Sequence, residues 1–170
     1  MPATISGTNG GIGLIGSGTA QNSTSGTAID FTGIPAGVKR ITVMFNGVST
    51  NGTSVYQLQL GAGSITTTGY FGVASYGPTG NQFQSLTSGI PLLTGGLLAS
   101  AANTYSGVVV ISLLSSNSWV ASGTGATSNV NGTAAIAGSI TLSGTLDRVR
   151  ITTVNGTDTF DAGSINILYE

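Results

Sequence analysis

The sequence has neither cysteine nor histidine. The first absence excludes disulfides, thiolate metal sites and cysteine nucleophiles. The second removes the imidazole base and the commonest neutral metal ligand. Charge is nearly as scarce: four Lys and Arg against five Asp and Glu, only 5% of 170 residues, for a net charge of -1. Such a chain has no electrostatic footprint for DNA, RNA or an anionic membrane surface, so no nucleic-acid partner is expected. It also lacks the lysines that commonly guard exposed sheet edges, so the edges are expected to be covered, most simply by copies of the same chain. The longest apolar runs, such as residues 108–111, are far too short to cross a bilayer, and no membrane insertion is expected. Met1 is followed by polar, Gly-rich sequence without a basic stretch, so no secretory signal is expected.

What remains is Gly, Ser, Thr and Asn around regular β-branched and aromatic runs, with 28 Gly and 39% hydrophobic residues. That regularity argues for a packed domain rather than disorder. The length suits one domain, with or without an arm. Residues 1–26 are small and polar apart from an apolar knot at Ile12, Leu14 and Ile15. They read as an extended Gly/Ser/Thr-rich arm docked through that knot on an assembly, or as a mobile tail. Some 26 extended residues would reach about 85–90 Å.

From residue 27 the pattern becomes strand and turn. Residues 27–31 (TAIDF) form a short strand candidate before the turn at Pro35. Residues 38–45 alternate, with Ile41, Val43 and Phe45 on one face and Arg40, Thr42 and Met44 on the other. Residues 55–60 alternate again, Tyr56, Leu58 and Leu60 opposite Gln57 and Gln59, and the Asn-Gly pairs between the two runs predict a hairpin. Residues 83–86, 105–114, 119–123, 134–142, 146–153 and 164–169 read as further strands, with a turn over 115–117 and a bulge at Gly138. Only residues 92–102 admit a helical turn, and Gly95-Gly96 argues against a long one. The expectation is an all-β, jelly-roll-like two-sheet sandwich of about eight strands over residues 27–170, preceded by the arm.

Residues 145–170 hold six of the nine charges: Asp147, Arg148, Arg150, Asp158, Asp161 and Glu170. They read as strand, Asn-Gly turn, short loop and final strand. Asp147 beside Arg148 suits an ion pair. Asp158 and Asp161 make a weak Ca²⁺ candidate, against the stronger reading of turn formers that bond their own backbone. The same two carboxylates lack the flanking aromatics and bases that glycosidase chemistry needs. No hydroxyl has a visible base, so no catalytic residue and no cofactor is expected. The segment GGIGLIG lacks the flanking strand, helix and Lys of a phosphate-binding loop. Four Asn-x-Ser/Thr triplets, at Asn22, Asn51, Asn131 and Asn155, arise readily in a chain of this composition. Tyr70, Phe71, Tyr76 and Trp119 are the receptor or interface candidates. The aromatic loop 69–80 is the better recognition surface, and Trp119 reads more as core or subunit interface.

The stretches TAIDFTGIPAGVKRITVMFNGVSTNGTS, SNSWVASG and GTLDRVRITTVNGTDTFDAGSINILYE closely resemble a domain common in tailed bacteriophages, usually the C-terminal head of tail-fibre or other virion appendage proteins. The resemblance covers residues 27–170. It implies a homotrimeric virion structural protein, made in the host cytoplasm and displayed on the particle. The arm with Ile12, Leu14 and Ile15 would anchor it to other virion proteins, and its loops would meet a host cell-surface glycan. Longer relatives carry a shaft before this domain, where here about 26 residues stand. A capsid decoration (cement) protein or a head fibre is therefore the alternative.

Overall fold

The structure, a computed structural model, describes residues 15–77, 82–96, 98–130 and 132–170. Its strands in chain order are β1 (Gly16–Ser17), β2 (Gln21–Asn22), β3 (Ala28–Thr32), β4 (Arg40–Thr50), β5 (Tyr56–Ala62), β6 (Ser64–Ile65), β7 (Phe71–Gly77), β8 (Gln82–Leu86), β9 (Ile90–Pro91), β10 (Tyr105–Ser115), β11 (Ser118–Thr127), β12 (Thr133–Thr141), β13 (Arg148–Thr153) and β14 (Phe160–Tyr169). Among the described residues there is no helix, and residues 92–96 and 98–102 run as turns and bends. The excess over eight comes from short paired segments such as β1, β2, β6 and β9, each of two residues.

All pairings are antiparallel, in two sheets. The larger has the order β1-β14-β4-β10-β11-β12-β7-β8, with β2 also on β14; the smaller has the order β3-β13-β5-β6, with β9 also on β5. Alternation decides the layers. Ile41, Val43 and Phe45 of β4, Val109 and Ile111 of β10, and Ile165 and Ile167 of β14 face Leu58, Leu60, Val149 and Ile151 of the smaller sheet, all buried. Each such side chain contributes roughly 1.5–3 kcal/mol of burial. Tyr105 lies edge-on between Phe45 and Tyr56, with ring centroids 5.4 and 6.2 Å away.

The run predicted as the first half of a hairpin does not turn at Asn46-Gly47. Strand β4 continues to Thr50, and its register against β10 and β14 shifts there. Gly47 has φ +63°, its N–H donates to the Ser106 hydroxyl at 2.9 Å, and Gly163 (φ +91°) packs back to back with it. The pair is a bulge, because glycine supplies the positive φ that a bulge needs as readily as a turn does. β4 runs on to Thr50, and β5, which begins at Tyr56, belongs to the other sheet.

At Gly138 the register through β11, β12 and β7 is unbroken, so no bulge forms. The missing side chain there leaves room for Ile90, and that of Gly72 leaves room for Gly89 and Pro91. The crossing segment also covers β5. Gln57 and Gln59, which alternation placed on a polar face, are buried. Gln59 Nε2 donates to the Ser88 carbonyl at 2.8 Å, and the Ser88 hydroxyl donates to Gln57 Oε1 at 2.9 Å.

Ile12 and Leu14 lie outside the described residues; Ile15 is 67% exposed. Beyond it the stretch read as an arm lies on its own sheet. β1 and β2 run along β14 (Gly16 opposite Tyr169, Gln21 opposite Ile165), bridged by the Gly18 N–H donating to the Ile167 carbonyl at 2.9 Å. A Cβ on Gly16 would strike the Tyr169 ring, and one on Gly18 would meet Ile167. Glycine here permits close approach. The last strand is therefore interior to the sheet.

Candidate functional site

An open groove of about 420 Å³ lies at one end of the larger sheet. It forms where β7 begins, β11 begins and β12 ends, under Leu114 at the close of β10. Ser116 and Asn117 make the β10–β11 turn, with Ser116 at φ 48° and Ser115 opposite Ser118. The register then sets Trp119 beside Ile140 and Val120 beside Ser139, which in turn pairs with Phe71. Because consecutive strand residues face opposite ways, Trp119 and Tyr70 enter the core while Phe71 and Val120 face out.

Three of the four aromatic candidates thus converge: Tyr70, Phe71 and Trp119 all line the groove. Their roles differ. Phe71 is 67% exposed and, with Leu114 at 70%, forms an apolar lip. Tyr70 is buried; its hydroxyl donates to the Leu60 carbonyl at 3.2 Å and accepts from the Leu60 N–H at 2.6 Å. Burial pushes its phenol up to about 12, against the opposing pull of the Leu60 bond. Trp119 is buried, and its indole N–H has no hydrogen-bond partner among the described residues. Tyr76 sits apart from the groove, buried on the inner face of β7.

The polar part of the lining is hydroxyl-rich. The Ser118 and Thr141 hydroxyls share a 2.8 Å hydrogen bond, and Thr68 and Ser139 complete the set. Among the described residues, no Asp, Glu, Lys or Arg lines the groove. Such a surface can stack an apolar face of a neutral ligand on Phe71 and hydrogen-bond its hydroxyls, but it holds no acid–base pair.

The carboxylates lie elsewhere and each has a partner. Asp158 accepts from the Ser54 N–H at 2.9 Å and from Asn155 Nδ2 at 2.6 Å, and Asp161 accepts from the Ser49 hydroxyl. Asn155 Oδ1 accepts from the N–H groups of Thr157 and Asp158, at 3.0 and 3.2 Å, an Asx-type turn. The facing Asn-Gly-Thr loop joins in, since Asn51 Oδ1 accepts from the Thr159 N–H and the Asn51 N–H donates to the Thr159 carbonyl, both at 2.9 Å. The carboxylates named as Ca²⁺ candidates thus knit two loops together. Asp147 is held below the usual carboxylate range by its hydrogen bond to Arg148.

Sequence reasoning missed a second groove, of about 340 Å³, between β2 and β3. Gln21, Asp30, Thr32, Ile167 and Tyr169 line it, and Gln21 Nε2 donates to the Asp30 carbonyl at 2.7 Å. It arises because residues 16–22 return along β14, which nothing local announces. Compared with protein-family models, with curated proteins and with solved structures, the chain matches none.

Proposed function

We propose that this chain is a structural protein of a tailed-bacteriophage virion, the homotrimeric head of a tail-fibre-like appendage used in host attachment. It would be made in the host cytoplasm and carried on the particle surface, with the segment around Ile12, Leu14 and Ile15 joining it to other virion proteins. On this reading its sheet crossings belong to a jelly-roll-like sandwich, and it acts by binding rather than by catalysis.

One observation carries the attachment role. The end of a rigid sheet presents an uncharged groove with an exposed phenyl lip and a hydroxyl lining, which suits the apolar ring face and hydroxyls of a neutral glycan. The resemblance at both ends of residues 27–170 supplies the virion context. Three copies would turn weak single contacts into firm attachment through effective concentration.

Purified protein is expected to compete with phage for adsorption to host cells, and Phe71→Ala protein is expected to lose that competition. Wild-type protein that leaves adsorption unchanged would sink the attachment role. Antibody-labelled electron microscopy of particles places the chain independently. Label at the tail supports an appendage, a capsid shell labelled in hundreds of copies makes it a decoration protein, and unlabelled particles end the virion reading.

A further inference from the structure

Beside the groove, at the β10–β11 turn, lies a smaller cavity of about 140 Å³. Lys39, Ser116, Asn117, Trp119 and Thr145 supply its polar groups. Trp119 lines both spaces; Ser118 of the same turn belongs to the groove, Ser116 and Asn117 to the cavity. Backbone bonds fix the walls. The Leu113 N–H donates to the Lys39 carbonyl at 2.8 Å, and the Leu142 N–H donates to the Asn117 carbonyl at 3.0 Å. The polar side chains, by contrast, lack partners. Arg40, Arg148 and Arg150 each hold a carboxylate, whereas the Lys39 ammonium holds none among the described residues. The carboxylates of Glu170 and Asp147 are the ones engaged by Arg40 and Arg148, and no described Asp or Glu lines the cavity. The side chains of Ser116, Asn117 and Thr145 make no hydrogen bond among the described residues. Trp119 is only 4% exposed, and its indole N–H is the one buried side-chain nitrogen there without an acceptor. An orphaned donor of that kind costs about 1–3 kcal/mol.

We infer that this cavity binds the oxyanionic group of an acidic sugar, a carboxylate or phosphate, next to the neutral sugar ring on Phe71. The inference rests on the glycan reading of the groove and adds an acidic unit to its ligand. Donor chemistry selects the ligand. An ammonium, an amide, hydroxyls and an indole N–H can all donate, and no carboxylate in the lining opposes an anion. A neutral group would leave Lys39 without a counter-charge, and a cation would be repelled by it. Size selects further. The 140 Å³ cavity has room for about four waters at ~30 Å³ each, enough for a carboxylate or phosphate group and too little for a whole sugar ring. The ring therefore has to lie outside, and the groove on the other side of Trp119 offers it a phenyl face.

The chain has a single tryptophan, so one indole N–H resonance reports on the wall shared by cavity and groove. Isotope-labelled full chain is titrated with glucuronate, glucose 6-phosphate and glucose. At least one acidic sugar is expected to shift that resonance and to bind at least tenfold more tightly than glucose, and the tighter of the two identifies the oxyanion. The margin is expected to vanish in Lys39→Gln protein and to return in Lys39→Arg. Lys39 is exposed, and unchanged circular dichroism checks that both variants fold. Acidic sugars that bind no more tightly than glucose, or that keep their margin in Lys39→Gln, overturn this site and leave the groove reading intact. Acetate or inorganic phosphate binding as tightly as the acidic sugars overturns it as a sugar site. Phe71→Ala tests the groove alone. A Lys39-dependent margin in wild-type protein, with glucose affinity unchanged by Phe71→Ala, upholds the oxyanion site and removes the groove reading.

Discussion

The guanidinium of Arg150 holds both carboxylate oxygens of Asp30, Nε to Oδ1 and Nη2 to Oδ2, each at 2.7 Å. The two residues stand directly opposite in the β13–β3 register, so the fork ties an edge strand to the interior of the smaller sheet. Both side chains are more than a third exposed, 35% and 40%, so water weakens the attraction. Asp30→Asn is therefore expected to cost less than about 1 kcal/mol, and the loss should shrink in molar salt. Urea unfolding at low and high salt measures both; a loss of several kcal/mol would show a role beyond the ion pair.

Alkaline pH should destabilise the fold. Burial raises the phenols of Tyr56, Tyr70 and Tyr105 above their ordinary value of 10.0, Tyr70 to about 12. Above pH 10 the unfolded chain sheds these protons while the folded chain keeps them. The stabilisation is complete below that pH and falls as pH rises through the folded values. Tyr105, whose hydroxyl has no partner among the described residues, offers a control. Tyr105→Phe is expected to be neutral or stabilising by up to about 1 kcal/mol, and to flatten the alkaline loss. Unfolding midpoints followed across this range would contradict the account if they stayed level.

Gly125 makes room for an aromatic ring. A Cβ there would overlap the Tyr105 phenol, whereas one on Gly144 would touch only Ala62, at 3.6 Å. Gly125→Ala should destabilise by about 1–3 kcal/mol, and Gly144→Ala by a few tenths. Thermal unfolding of the two variants distinguishes packing at Gly125 from a general cost of losing glycine.

Within the groove, the aromatic residues should separate by function. Trp119→Ala empties a buried site and is expected to cost about 3–5 kcal/mol. Phe71→Ala removes an exposed ring and should change stability by less than about 0.5 kcal/mol while abolishing competition for adsorption. A Phe71→Ala protein that still competes would move recognition elsewhere.

The Asp158 loop should respond to hydrogen bonding rather than to metal. Asp158→Ala leaves the Ser54 N–H without its acceptor and should cost about 1–3 kcal/mol. Calcium or chelator is expected to leave the melting temperature of the wild type unchanged. A calcium-dependent rise that Asp158→Asn loses would restore the metal site.

Much of this architecture is legible residue by residue. The alternation of Ile41, Val43 and Phe45, and of Val149 and Ile151 against Arg148 and Arg150, names the buried faces correctly because side chains alternate along any strand. The ion pair of Asp147 with Arg148 is local and was readable too. Tyr70, Phe71 and Trp119 were named as candidates, but only long-range pairing brings Ser139 beside both Val120 and Phe71 and so gathers them into one groove. The burial of Gln57 and Gln59 escaped notice, because the segment that covers them lies some thirty residues away in sequence.

The sequence by itself determined that the chain is all-β, which faces strands such as β4 and β13 bury, and that it meets its surroundings almost without charge. Those properties follow from periodicity and composition, which act within a few residues. Only the tertiary structure decided which sheet each strand joins, that Asn46-Gly47 is a bulge, and that residues 16–22 lie along the last strand. Backbone hydrogen bonds are blind to residue type. An Asn-Gly pair permits a turn or a bulge equally, and the choice falls to distant neighbours such as Gly163 and Ser106.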